Sequence, residues 1–114
     1  MMTLRSTATA VLERDLTITD AIETEPYEIP WASEARFFAQ VHTLEAPDTT
    51  LEFITQISPD GLHWCDLDDS SHEVTETGLA TWLVTGFGQW LRVRCRVRGT
   101  TPTARLRIYL VGKG

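Results

Sequence analysis

The chain is 114 residues long and 42% hydrophobic, with four Trp and four Phe, enough for one core of ordinary domain size. That composition argues against global disorder and against a second domain, and no apolar run approaches the roughly 18 to 20 residues of a membrane-spanning helix. The net charge of −6 is unevenly placed: residues 1 to 91 carry all sixteen acidic residues against three arginines, whereas residues 92 to 114 carry seven basic residues and no acidic one.

Residues 1 to 10 hold little that could build a core and read as a flexible N-terminal arm ahead of one domain at 11 to 114. The opening MMTLRSTATAVL has a single Arg and is diluted by Thr, Ser and Ala, a poor signal-peptide core, so a cytoplasmically made protein is expected. No window of a dozen residues combines apolar spacings of three and four with a cap, whereas period-two alternation is widespread. Along the chain it marks AVLERDLTIT (10 to 19), EPYEIPW (25 to 31, whose prolines suit an edge), RFFAQVHTL (36 to 44), LEFITQI (51 to 57) and LHWCDLD (62 to 68).

Between the last two lies SPDGLHW, residues 58 to 64. Pro59 presets φ for a turn, Asp60 tolerates the next position and Gly61 can take positive φ, so a three-residue hairpin loop accounts for the cluster. Pairing across it puts Phe53, Thr55 and Ile57 on the face of His63, Cys65 and Leu67, and Trp64 on the face of Ile54 and Gln56. A bulge would exchange these faces. The repeated Asp-box of propeller enzymes is one residue longer between Asp and Gly and recurs once per blade; here the motif occurs once.

DLDDSSHE, residues 66 to 73, concentrates oxygen ligands, but Ser71 and Thr77 stand where a calcium loop needs Gly and Glu, so it reads as a solvated acidic loop. Asp69, Ser70, Ser71 and His72 contain the letters of a catalytic triad, yet sequence neighbours cannot converge as one. His63 and Cys65 point the same way on a strand, the minimum for a thiolate and imidazole pair, but nothing supplies a third group. Cys65 and Cys95 have no metal spacing and read as buried, unpaired thiols. No metal, cofactor or enzymatic site is expected.

LATWLV (79 to 84) is a further short strand. In WLRVRCRVR, residues 90 to 98, Leu91, Val93, Cys95 and Val97 take one face and Arg92, Arg94, Arg96 and Arg98 the other. ARLRIYL repeats the pattern, with Ala104, Leu106, Ile108 and Leu110 inward and Arg105, Arg107 and Tyr109 outward. About eight short strands separated by turn residues predict an all-β, antiparallel, jelly-roll-like sandwich. Were these last two strands a simple hairpin, Arg96 would face Arg105 and Arg94 would face Arg107, which repel. Relief comes from acidic neighbours, from placement in different sheets, or from an anionic partner. Arg92, Arg94, Arg96, Arg105 and Arg107 are therefore the candidate interface or anion-binding residues. The net negative charge and the absence of interleaved aromatics argue against nucleic acid.

SPDGLHWCDLD, FGQWLRVRCRV and RGTTPTARLRIYLVGKG together resemble small β-sandwich proteins among the virion components of tailed phages and prophages. Those carry a Ser-Pro-Asp-Gly-x-x-Trp hairpin, an aromatic-x-Arg-Val-Arg strand, then Gly-x-x-Pro-Thr and a final strand. The resemblance covers about residues 50 to 114. It implies a non-enzymatic structural subunit, located in a virion or the cytoplasm, that forms homo-oligomers or docks on a capsid or tail partner. The alternative is a carbohydrate-binding sandwich using exposed Trp31, Trp64, Trp82 or Trp90 as stacking platforms.

Overall fold

In residues 90 to 98 every second side chain is apolar, and in the structure those side chains are the buried ones: Leu91, Val93 and Cys95 are fully enclosed and Val97 nearly so. The computed structural model describes residues 7 to 114, apart from the side chains of residues 69 and 70. Among the described residues there are nine strands and no helix: β1 (Thr7–Ile18), β2 (Ala21–Glu23), β3 (Tyr27–Glu28), β4 (Glu34–Glu45), β5 (Thr50–Ser58), β6 (Cys65–Val74), β7 (Gly78–Val84), β8 (Trp90–Arg98) and β9 (Thr103–Lys113).

One sheet has the order β1-β9-β4-β7, the other β2-β8-β5-β6, with β3 also paired to β8, and every pairing is antiparallel. The pairs β1 with β9, β2 with β8, β4 with β7 and β5 with β6 are nested, as in one long hairpin rolled over on itself. That nesting is the jelly-roll-like connectivity. The two sheets share a core in which Phe37, Val41, Leu106, Ile108 and Leu110 of the first meet Leu51, Phe53, Leu91, Val93 and Cys95 of the second. Each large aliphatic or aromatic side chain so enclosed contributes roughly 1.5 to 3 kcal/mol.

Strands β8 and β9 are not a hairpin. The chain crosses from one sheet to the other at residues 99 to 102, so Arg94 and Arg96 never face Arg107 and Arg105. The crossover from β4 to β5 lies alongside, and the two are tied: the Asp48 carboxylate accepts from the Thr100 N–H at 2.8 Å and its hydroxyl at 2.7 Å, and holds its own proton less tightly than an ordinary Asp because of those donors. Gly99 leaves room here, since a Cβ would sit 3.1 Å from the Asp48 carbonyl oxygen.

Three expectations are corrected. The acidic stretch 66 to 73 is strand, not loop: it runs within β6, at the edge of its sheet, where both the outer face and the free edge meet water. Opposite Ile54, Thr55 and Gln56 the chain of β6 advances from Asp66 to Ser71, a large bulge that arches residues 67 to 70 away from the ladder. Cys65 is exposed rather than buried, because it opens this edge strand; Cys95 is buried, and both thiols are free. The connection from β5 to β6 is longer than a three-residue loop, with Ile57 paired to Cys65. β1 begins at Thr7, so residues 7 to 10 of the expected arm run opposite residues 110 to 113; residues 1 to 6 lie outside the described residues.

Candidate functional site

The arginines of β8 stand on the outer face of their sheet, as the alternation predicts, and β5 presents its own outward row beside them. Gln56 is opposite Arg92, Ile54 opposite Arg94 and Glu52 opposite Arg96. Arg92 donates from Nε to Gln56 Oε1 at 2.7 Å and lies over the Trp64 ring, 4.3 Å from its centroid. Gln56 in turn donates to Asp66 at 2.8 Å. Arg96 pairs with Glu52 at 2.7 Å, and Arg98 reaches across β5 to Glu73 of β6. The acidic edge strand thus supplies part of the counter-charge for the basic one.

Arg94 differs. Its neighbours across the ladder are Ile54 and Glu23, and among the described residues its guanidinium makes no hydrogen bond or ion pair. Exposed ion pairs of this kind are each worth about 0 to 1 kcal/mol, so the ladder is a surface property rather than a source of stability.

Arg105 and Arg107 belong to the other sheet, on the opposite side of the sandwich. Arg105 grips Asp15 of β1 with two bonds, at 2.7 and 3.2 Å, which holds the Asp15 carboxyl below and the guanidinium above their usual proton affinities. Arg107 donates to the Arg14 carbonyl at 2.8 Å and to the Tyr109 hydroxyl at 3.2 Å. The five candidate arginines therefore form two separate groups, back to back across the core, and among the described residues no intersheet charge network joins them.

The 58 to 64 segment is a corner that builds itself. Ser58 Oγ accepts from the N–H groups of Asp60 and Gly61, and Asp60 Oδ1 accepts from those of Leu62 and His63, at 2.8 to 3.2 Å. The other Asp60 oxygen meets His63 Nδ1 at 2.7 Å, so the imidazole turns to the carboxylate. Gly61 has φ of +78°, and the Trp90 ring packs directly against it. These donors, His63 first, hold the Asp60 carboxyl far below the ordinary Asp range. A carboxyl whose pKa is lower folded than unfolded adds stability above its unfolded value, near 4, and that contribution disappears as pH falls below it. Asp15 and Asp48 have the same sign. Thermal melts should accordingly fall steeply from pH 4 to pH 2, and Asp60→Asn should flatten part of that slope; an unchanged slope in the variant refutes the assignment.

Of the four tryptophans proposed as platforms, Trp82 is in the core, 4% exposed, stacked on His72 and in tilted contact with the rings of Phe37 and Phe53. Arg92 covers a face of Trp64, and Gly61 one of Trp90. Trp31, 44% exposed, is the most open and leans on Gly112. His72 lines a cleft of about 370 Å³ with Asp68, Leu67 and Trp82, and partial burial makes it a weaker base than usual. Asp69 and Ser70 have side chains outside the described residues. Among the described residues no three His, Cys, Asp or Glu side chains converge on an ion position.

Sequence reasoning missed the outer face of the β1-β9-β4-β7 sheet. Val11, Tyr109, Phe38 and Thr81 lie in one register row across all four strands. Leu79 and Leu83 flank the row, 59% and 52% exposed, and a groove of about 340 Å³ opens between Leu83, Phe38, Arg36, Val111 and Lys113. The signal was present in LATWLV, where both faces are apolar, but alternation alone does not say which one turns outward.

No family model matches the sequence, and no curated protein is significantly similar to it. Solved structures do match in fold. The SPBc2 prophage-derived protein YomS aligns over 100% of this chain and 98% of its own, with a TM-score of 0.62 and 12% identity. The PBSX exported protein XepA aligns over 96% of this chain and 36% of its own, at 0.60 and 15%. A subunit of the disulfide-linked pili of Bacillus endospore appendages aligns over 96% and 90%, at 0.50 and 14%. At such identities the likeness is one of fold: a small β-sandwich of the kind found in prophage-derived and appendage proteins, as the motif resemblance implied.

Proposed function

We propose that this chain is a non-enzymatic structural subunit of a phage-like assembly, working through self-association or docking on a neighbouring protein. The observation that carries the reading is the end-to-end match in fold with a prophage-derived protein of the same extent. Two features of the surface support it. The charged face of the β2-β8-β5-β6 sheet is partly neutralised, Arg96 by Glu52 and Arg98 by Glu73, which suits a protein contact better than a polyanion. Arg94 is the group on that face with a free guanidinium among the described residues, and in this reading it leads the docking contact, with Arg92 and Arg96 beside it and Arg105 and Arg107 serving the opposite face. The carbohydrate alternative keeps one well-exposed indole, Trp31, where stacking recognition needs a flat open ring among polar partners.

Size-exclusion chromatography with light scattering, at low and high salt, tests the proposal together with electron microscopy of the purified protein. Multimers are expected, and Arg94→Glu should weaken any contact that fades with salt. A strict monomer at every concentration and salt, with no assembled particles on the grid, overturns it.

A further inference from the structure

Among the described residues the sandwich has four edges, and three of them are blunted. β1 is broken by two register shifts and carries Glu13, Arg14 and Asp15. The β2 and β3 edge consists of a three-residue and a two-residue strand separated at Pro26. β6 has its bulge and a run of carboxylates. Such features keep an edge from pairing with another chain. β7 has none of them. It pairs with β4 over seven consecutive positions without a shift, and GLATWLV contains no charge and no proline. Its far side has no strand partner among the described residues.

From this asymmetry we infer that the free edge of β7 is a self-association site, occupied by β7 of a second copy running antiparallel about a two-fold axis at Thr81. The inference rests on the subunit reading above and names the contact. A second copy is the occupant the strand fits, because two-fold pairing sets each residue beside a copy of its own strand, and a charged strand would then bring like charges together. Here Thr81 meets Thr81, and Leu83 of one copy meets Leu79 of the other. One strand further out, the backbone register places Arg36 of one copy in line with Gln40 of the second, and the Arg36 guanidinium, which donates to Thr81 Oγ1 at 3.2 Å, is among the described residues the one cation each copy brings near the axis. The contact pairs the one unblunted edge and covers leucines that are now more than half exposed.

Leu79→Lys with Leu83→Lys tests it. Both side chains point to solvent in the single chain, so the melt at a concentration too low for association should be unchanged while the dimer dissociation constant, from sedimentation equilibrium, rises about a hundredfold. Wild-type association should be the same at low and high salt, which separates it from the arginine contact. Independently, Thr81→Cys in a Cys65→Ser background should oxidise to a covalent dimer, since directly opposed antiparallel residues lie about 4.5 to 5.5 Å apart, within disulfide reach. Val11→Cys on the far edge should not. Should the lysine variant fail to fold, the cross-link decides. Multimers that survive the lysines and leave Thr81→Cys uncross-linked overturn the β7 edge while the subunit reading stands.

Discussion

Replacing Trp82 with alanine is expected to cost about 4 kcal/mol, the largest loss of any single truncation in this protein. Trp82 lies between the sheets with its ring centroid 5.5 Å from that of Phe37, 5.1 Å from Phe53 and 5.1 Å from His72, and its indole N–H donates to Thr55 Oγ1 at 2.8 Å. It is the largest buried side chain of an edge strand, so its removal opens a cavity beside a cleft that water already reaches. Chemical denaturation should show the loss at unchanged slope, and the melting temperature should drop by roughly 15 °C at about 4 °C per kcal/mol for a domain of this size. Trp82→Phe keeps the stacking and gives up the hydrogen bond and some volume, so about half the loss is expected. A full loss of less than 1 kcal/mol in the alanine variant would place the indole outside the core.

The second large effect lies in the 58 to 64 corner. Gly61→Val should destabilise by about 3 kcal/mol, because two penalties combine. A β-branched residue at φ of +78° is strained by roughly 1 to 2 kcal/mol, and the new Cβ would stand 3.1 Å from the Trp90 ring. Gly61→Asn carries the same Cβ but tolerates the left-handed backbone better, so it should recover about 1 kcal/mol relative to valine. Equal melts for the two variants would mean that crowding against Trp90, rather than the backbone, sets the requirement. Either result identifies the motif as a structural corner whose serine and aspartate are spent on backbone N–H groups.

How much of this was legible in the sequence depends on whether a strand has one wet face. β8 and β9 do, and their alternation gave both the strand and the inward side chains. β4 and β5 were equally plain. β6 was not, because an edge strand with a bulge is solvated on more than one side and its carboxylates then carry no alternation. β7 was legible as a strand at 79 to 84, but its facing was not: leucines outside and Trp82 inside leave both faces apolar. β2 is three residues long, below what any pattern detects. The arginines were read correctly as outward, yet their division between two faces depends on which sheet each strand joins, a fact held by the nested topology and not by local spacing. Glu52 and Glu73 were invisible as partners for the same reason, lying far from Arg96 and Arg98 along the chain.

The rolled-up connectivity also bears on synthesis. β9 is a central strand of its sheet, flanked by β1 and β4, and Thr7 sits opposite Lys113. Until residues 103 to 113 have left the ribosome, β1 has no ladder to join and β4 has only β7, so half of the sandwich waits with its leucines and phenylalanines unsheltered. Pairings that span nearly the whole chain fold slowly, in milliseconds to seconds. A nascent chain stalled before residue 103 is therefore the form of this protein that most needs a chaperone.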